Sequence, residues 1–271
     1  MNMVNVKKIR YGLGLMGLGL FVLLGIILPL KGTATNLDTL ALPIPSSCTT
    51  LPPTAEFLQQ QEEFKTLYHQ PDFSLFQQAL ANNAAQYNNL GGSLVQFPQG
   101  QKQVFRGSIL SNSPDCLQQL VKEKGVKTIV NLYSGNLINE DQLANQERDF
   151  FQKLGGDNYL HILNFSDSPD PNKNQTLATI KDRIAQIIQA IAASPGNIYV
   201  HCVGGIHRTG EVYGILQKCV NRVPMAQVLA DYEKHAGGTR QNNREYRPAN
   251  VEILQTFDCQ RLDRLGLTSP K

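Results

Sequence analysis

His201-Cys202-Val203-Gly204-Gly205-Ile206-His207-Arg208-Thr209-Gly210 sets a cysteine six residues before an arginine, with glycines between them and a hydroxyl residue directly after. The run before it, Gly196-Asn197-Ile198-Tyr199-Val200, reads as a short apolar strand bounded by Pro195-Gly196. The run after it, Glu211 to Val220, reads as a helix, so the stretch is a loop between a strand end and a helix N-terminus. Backbone N–H groups there lack intrahelical partners, and the helix dipole offers partial positive charge. Such a place suits an anion and favours the thiolate of a cysteine held in it.

Each residue type has a use in phosphoryl chemistry. Cys202 is the candidate nucleophile, a thiolate that attacks phosphorus and splits one hard hydrolysis into two easier steps. Arg208 offers a planar fork of donors matching two phosphate oxygens. Gly204 and Gly205 let the backbone turn its N–H groups inward, and Val203, Ile206 and His207 complete the candidate phosphate-binding loop. The Thr209 hydroxyl can hydrogen-bond the sulfur as the second step expels it, and His201 orients the loop. The bland alternative is a buried cysteine on a glycine-rich turn. A metal site built on His201, Cys202 and His207 has no second ligand cluster nearby in the sequence, and no metal or cofactor is expected.

The stretch resembles the Cys-x5-Arg signature of the cysteine-based tyrosine and dual-specificity phosphatases. Its Gly-x-His-Arg-Thr-Gly form is most similar to the atypical dual-specificity phosphatases of plants and fungi and their bacterial relatives. Phe105-Arg106-Gly107-Ser108, Lys127-Thr128-Ile129-Val130-Asn131-Leu132 and the segment Met225 to His235 extend the resemblance over about residues 100–258. It implies a phosphomonoester hydrolase working through a phosphocysteine, with a phosphorylated protein or a small phosphoester as substrate. Thr209-Gly210 after the arginine argues against a rhodanese-like sulfur transferase. A loop that binds phosphate without turning it over, an interaction module, is the non-enzymatic alternative.

A leaving oxygen needs a proton from a second loop. The candidate is Asn164-Phe165-Ser166-Asp167-Ser168-Pro169-Asp170-Pro171, after the strand Tyr159 to Leu163. The resemblance implies an Asp-x-x-x-Pro pattern, which Asp167 and Pro171 match. Asp170 is the alternative acid, being closer in sequence to Cys202. Asp167 is favoured, and either aspartate could instead cap a helix or start a turn. Substrate choice is left open. Val203, Gly204 and Ile206 are uncharged where phosphatases of highly charged inositol phosphates tend to carry cations. Their absence favours a single phosphoester, with inositol phosphate or pyrophosphate as the alternative.

Strands alternate with helices around this loop: Gln103 to Arg106, a helix opened by Ser113-Pro114, Val126 to Leu132, a helix over Asn139 to Leu154 and the His161 strand. A helix over Thr176 to Ala193, the strand to Val200 and helices through Phe257 complete the series. That pattern predicts an α/β fold with a central, mostly parallel sheet flanked by helices. Right-handed crossovers would place the loop at the carboxyl end of a central strand.

The expected organisation is an N-terminal anchor or signal peptide over residues 1–31, a proline-rich linker over 32–53, a helical extension over 54–95 and the catalytic domain over 96–271. In the extension, Phe57, Phe64 and Leu67, and then Phe73, Phe76 and Leu80, fall near helical spacing, and Gly91-Gly92 reads as a break. Tyr11 to Leu30 is an uncharged apolar run long enough to span a bilayer. Lys7, Lys8 and Arg10 before it predict that the chain beyond the run is exported, to the periplasmic or extracellular side. Gly32-Thr33-Ala34 offers a cleavage site, so an uncleaved anchor and a removed signal peptide both stand. The formal net charge of +3 comes from those three cations, and the remainder balances, so no nucleic-acid-binding surface is expected. If Cys202 stays free, Cys48, Cys116, Cys219 and Cys259 allow two disulfides in three pairings, or four buried thiols. Arg240, Arg244 and Arg247 form either a basic rim or a solvated face, and Arg106 either braces the site or makes a structural pair.

Overall fold

The computed structural model describes residues 36–50, 72–133, 140–170, 174–238 and 247–268, with scattered positions between 59 and 70. The apolar run 11–30, Pro171, Arg240 and Arg244 lie outside them, as do Phe57 and Phe64. Among the described residues no helix is long and apolar enough to cross a membrane.

Five strands form one sheet: β1 (Gly91–Phe97), β2 (Gly100–Gly107), β3 (Val126–Asn131), β4 (Asn158–His161) and β5 (Asn197–His201), in the order β1-β2-β5-β3-β4. Only β1 and β2 are antiparallel. The helices are α1 (Leu37–Leu40), α2 (Phe73–Gln86), α3 (Pro114–Lys122), α4 (Glu140–Lys153), α5 (Leu177–Ala193), α6 (His207–Ile215), α7 (Met225–His235), α8 (Pro248–Thr256) and α9 (Gln260–Asp263). A π-helical turn, Leu216–Val220, prolongs α6.

Strand residues alternate between two cores, as the pleat requires. Val104, Val130, Ile198 and Val200 face the isoleucines of α5 and the apolar sides of α6 to α8. Phe105, Ile129 and Tyr199 face Leu117, Leu120 and Val121 of α3 and Phe151 of α4. The central strand β5 is therefore apolar on both faces, which explains its unbroken Ile198-Tyr199-Val200 run. Helix α5 starts at a capping box, Thr176 with Thr179, and α3 starts with Pro114 in its first turn.

Two boundaries differ from the sequence reading. Gly91-Gly92 opens strand β1, which crosses the border drawn between residues 95 and 96. The loop Pro98-Gln99 folds it back on β2, Phe97 pairing with Gly100. Both glycines are needed, since a Cβ on Gly91 would sit 2.8 Å from the His235 ring and one on Gly92 2.9 Å from Phe105. Residues 36–50, expected as linker, run along the free edge of β1. The Leu42 N–H donates to Gly92 O at 3.0 Å, Ala41 bridges Ser93, and Leu37 and Leu40 pack on the core. Pro43 and Pro45 lack N–H donors, which limits the pairing to this short contact while still covering a sheet edge.

Of the three cysteine pairings, the fold has Cys48–Cys116, tying this strap to α3, and Cys219–Cys259, tying the π-turn to the segment before α9. Cys202 is free.

Candidate active site

Strand β5 ends at His201 between Gly107 of β2 and Asn131 of β3, so the loop leaves the middle of the sheet at its carboxyl edge. Helix α6 starts at His207, four residues earlier than the sequence reading placed it, so Arg208 and Thr209 stand on its first turn.

The loop is shaped from outside. His201 Nδ1 donates to Cys202 O at 3.0 Å, the Ile109 N–H to Val203 O at 3.0 Å, and Asn89 Nδ2 to Gly204 O at 2.9 Å. An Arg106 guanidinium N–H donates to Gly205 O at 2.7 Å, and the Gly210 N–H to Ile206 O at 2.9 Å. Five successive carbonyls thus point outward. The N–H groups of Val203, Gly204, Gly205 and Ile206 meet no protein acceptor among the described residues. A ring whose oxygens face out turns its N–H groups in, and that is the geometry of an anion nest. Gly205, at φ 71°, is in the left-handed region, and a Cβ there would run into the Gly107 backbone.

The groups singled out from the sequence stand in the loop and on the first turn of α6. The Cys202 residue is 7% exposed. The Arg208 guanidinium lies 5.6 Å from the Tyr133 ring centre, and its Nε is buried with no partner among the described residues. The Thr209 hydroxyl is likewise buried and unpartnered among the described residues. Unpartnered buried donors in one stretch of chain with a free cysteine call for an explanation.

Two supports flank the loop. Arg106, for which the sequence left brace and structural pair open, is both. Almost fully buried, it ion-pairs with Asp231 at 3.1 Å and lies over the Tyr213 ring, and so holds the loop from behind. Burial pushes Asp231 up from the usual carboxylate range despite that arginine, and burial holds the neighbouring His235 well below the usual imidazole value. The second support, which sequence reasoning missed, is Glu147 of α4. Its Oε2 lies 2.9 Å from His201 Nε2, off the ideal hydrogen-bond direction, and accepts from Tyr159 Oη at 2.8 Å. Its Oε1 accepts from the Leu110 N–H at 2.7 Å. Burial raises its pKa, but His201 and these donors outweigh that and leave it lowered. The signal was present: Ala144, Glu147 and Phe151 share the buried stripe of α4, and a carboxylate on such a stripe needs partners.

Of the two candidate acids, Asp167 is brought beside His207 of the loop. Asp167 Oδ2 pairs with Arg247 at 2.6 Å and lies 3.8 Å from His207 Nδ1. Asp170 exchanges both backbone hydrogen bonds with Gln175. Arg247, at the N-terminus of α8, is half exposed.

No curated protein matches the chain. Among solved structures, TpbA of P. aeruginosa is similar at 15% identity over 60% of this chain and 85% of that chain, with a TM-score of 0.42. The core catalytic domain of SIW14 from S. cerevisiae, a PP-IP phosphatase, is similar at 17% identity over the same shares, also with a TM-score of 0.42. Residues 98–264, more than half of the chain and the part holding β2 to α9, match the model of the tyrosine phosphatase family, and the chain belongs to that family.

Proposed function

We propose that the chain hydrolyses phosphomonoesters through a phosphocysteine on Cys202. The observation that carries this reading is the outward anchoring of five loop carbonyls around a free cysteine at a helix N-terminus. The inward N–H groups and the Arg208 fork take the three non-bridging oxygens, and the sulfur attacks phosphorus opposite the leaving oxygen. Asp167 gives that oxygen its proton. Arg247 and His207 both face Oδ2, so Oδ1 is the oxygen left for the substrate. In the second step Asp167 takes a proton from water, water attacks phosphorus, and Thr209 steadies the departing sulfur. His201 keeps the loop in register through Cys202 O.

A protein phosphotyrosine or another single phosphoester is the substrate class, supported by the uncharged Val203, Gly204 and Ile206. An inositol phosphate is the second reading and a phosphate-binding module the third. Two disulfides in one small domain support a catalytic domain working outside the cytoplasm, with residues 11–30 as its membrane segment.

The test uses the full chain with a phosphotyrosine peptide, a small aryl phosphate and inositol hexakisphosphate. Native protein should turn over the first two, Cys202→Ser should turn over none, and Asp167→Ala should be slowed by about 10²- to 10⁴-fold. Native-level turnover by Cys202→Ser ends the covalent mechanism. Turnover confined to inositol hexakisphosphate moves the substrate to the second reading. Phosphate binding without turnover leaves the module.

A further inference from the structure

Glu211 is a buried carboxyl group that the proposed reaction leaves unused. It stands three residues after Arg208 on α6 and is fully enclosed. Its Oε1 accepts a hydrogen bond from Asn250 Nδ2, while Oε2 is buried with no partner among the described residues. Burial drives its pKa well above the usual carboxylate range, Asp167 pushes the same way, and the Asn250 hydrogen bond and Arg208 oppose them. The balance favours the uncharged form, with Oε1 as the acceptor. A charged one would add a negative group beside both the sulfur and the acid.

Asn250 has two amide hydrogens, and both are accounted for. One meets Glu211 Oε1 and the other meets the backbone oxygen of Asp167 at 2.9 Å. Its own Oδ1 accepts from Tyr232 Oη at 3.0 Å, and that phenol also accepts from the Arg247 N–H at 3.2 Å. The amide plane is thus fixed on three sides. Through it the backbone of the acid loop is tied to the helix that begins in the phosphate loop. Arg247 then orients the Asp167 carboxyl group itself.

We propose that Glu211 is a positioning residue, which through Asn250 holds the backbone of Asp167 at a fixed height over Cys202. The inference rests on the reading of Asp167 as the acid. A misplaced acid matters most where the leaving oxygen is a poor leaving group, because a good one departs with little help from a proton.

The test compares kcat/KM of the full chain on an alkyl phosphate and on an aryl phosphate with a strongly acidic phenol. Glu211→Leu and Asn250→Ala should lose roughly 10- to 100-fold on the alkyl ester and less than about threefold on the aryl ester. Glu211→Gln keeps the neutral acceptor and should stay within about threefold of native on both. Equal losses on the two esters, no loss on either, or a Gln variant as poor as Leu would overturn the proposal. Asp167→Ala is the control. If it too loses equally on both esters, the acid assignment falls and this inference with it. If it shows the leaving-group dependence and the other variants do not, only this inference falls. Should Glu211→Leu fail to fold, Asn250→Ala and Glu211→Gln decide alone.

Discussion

Glu147 and Glu211 are both fully buried carboxyl groups placed against the same loop, yet their pKa values move in opposite directions. Glu147 has the Leu110 N–H, the Tyr159 hydroxyl and the His201 imidazole around it. Glu211 has one amide N–H, and Asp167 is its strongest charged neighbour. Desolvation is the first influence on both, so burial does not decide their charge. The number and sign of the partners do. One side of the loop is held by a carboxyl group with three close partners, the other by one with a single hydrogen bond.

The contrast is easiest to break at Glu147. Glu147→Ala leaves His201 and two donors without their acceptor and should cost about 3–5 kcal/mol in denaturant unfolding. A loss below about 1 kcal/mol would mean that these contacts do not hold the loop. Tyr159→Phe removes a single donor to the charged carboxylate, for an expected loss of about 1.5–3 kcal/mol by the same measurement. If it is neutral, the Oε2 contact contributes nothing.

The pH dependence of unfolding separates the two residues by sign. Glu147 has a lowered folded pKa, so its contribution is present above the ordinary value of 4.5 and is lost as pH falls through the lowered one. Glu211 has a raised folded pKa, so its contribution is full below 4.5 and is lost as pH climbs through the raised one. Each slope approaches at most about 1.4 kcal/mol per pH unit. Glu147→Gln should flatten the acid limb, and Glu211→Gln the limb above it. Melting curves across pH that change on the wrong limb would reverse the assignment. The smallest effect is that of Glu211→Gln near pH 5, where a neutral amide replaces a neutral acid and unfolding should shift by less than about 1 kcal/mol.

How far the fold was readable depends on how local each signal is. The strand, loop and helix around Cys202 are consecutive in sequence, and their order pointed to the parallel sheet and its carboxyl-edge site. The antiparallel β1 escaped because Gly91-Gly92 breaks the local pattern. Val95 and Phe97 before Pro98-Gln99-Gly100 are nevertheless an alternating strand with a turn signal after it. Those glycines serve His235 and Phe105, residues the chain reaches only later. The start of α6 was misplaced for a related reason: Gly204, Gly205 and Gly210 look like helix breakers, while the fold needs the first two for the ring and lets Gly210 pack under Tyr232. The strap over 36–50 looked like linker because its one bridge and its disulfide to Cys116 depend on partners distant in the chain.

The sequence by itself determined the loop proposed to bind phosphate, since its cysteine, glycines and arginine follow one another between a strand and a helix. It also offered two candidate acids on one segment, Asp167 and Asp170. Only the tertiary structure decided which partners surround Asp167, which cysteines pair, and which buried carboxyl group is lowered and which raised. Those outcomes depend on desolvation and on partners such as Arg247, Asn250 and His201, and such contacts exist only once distant segments have been brought together.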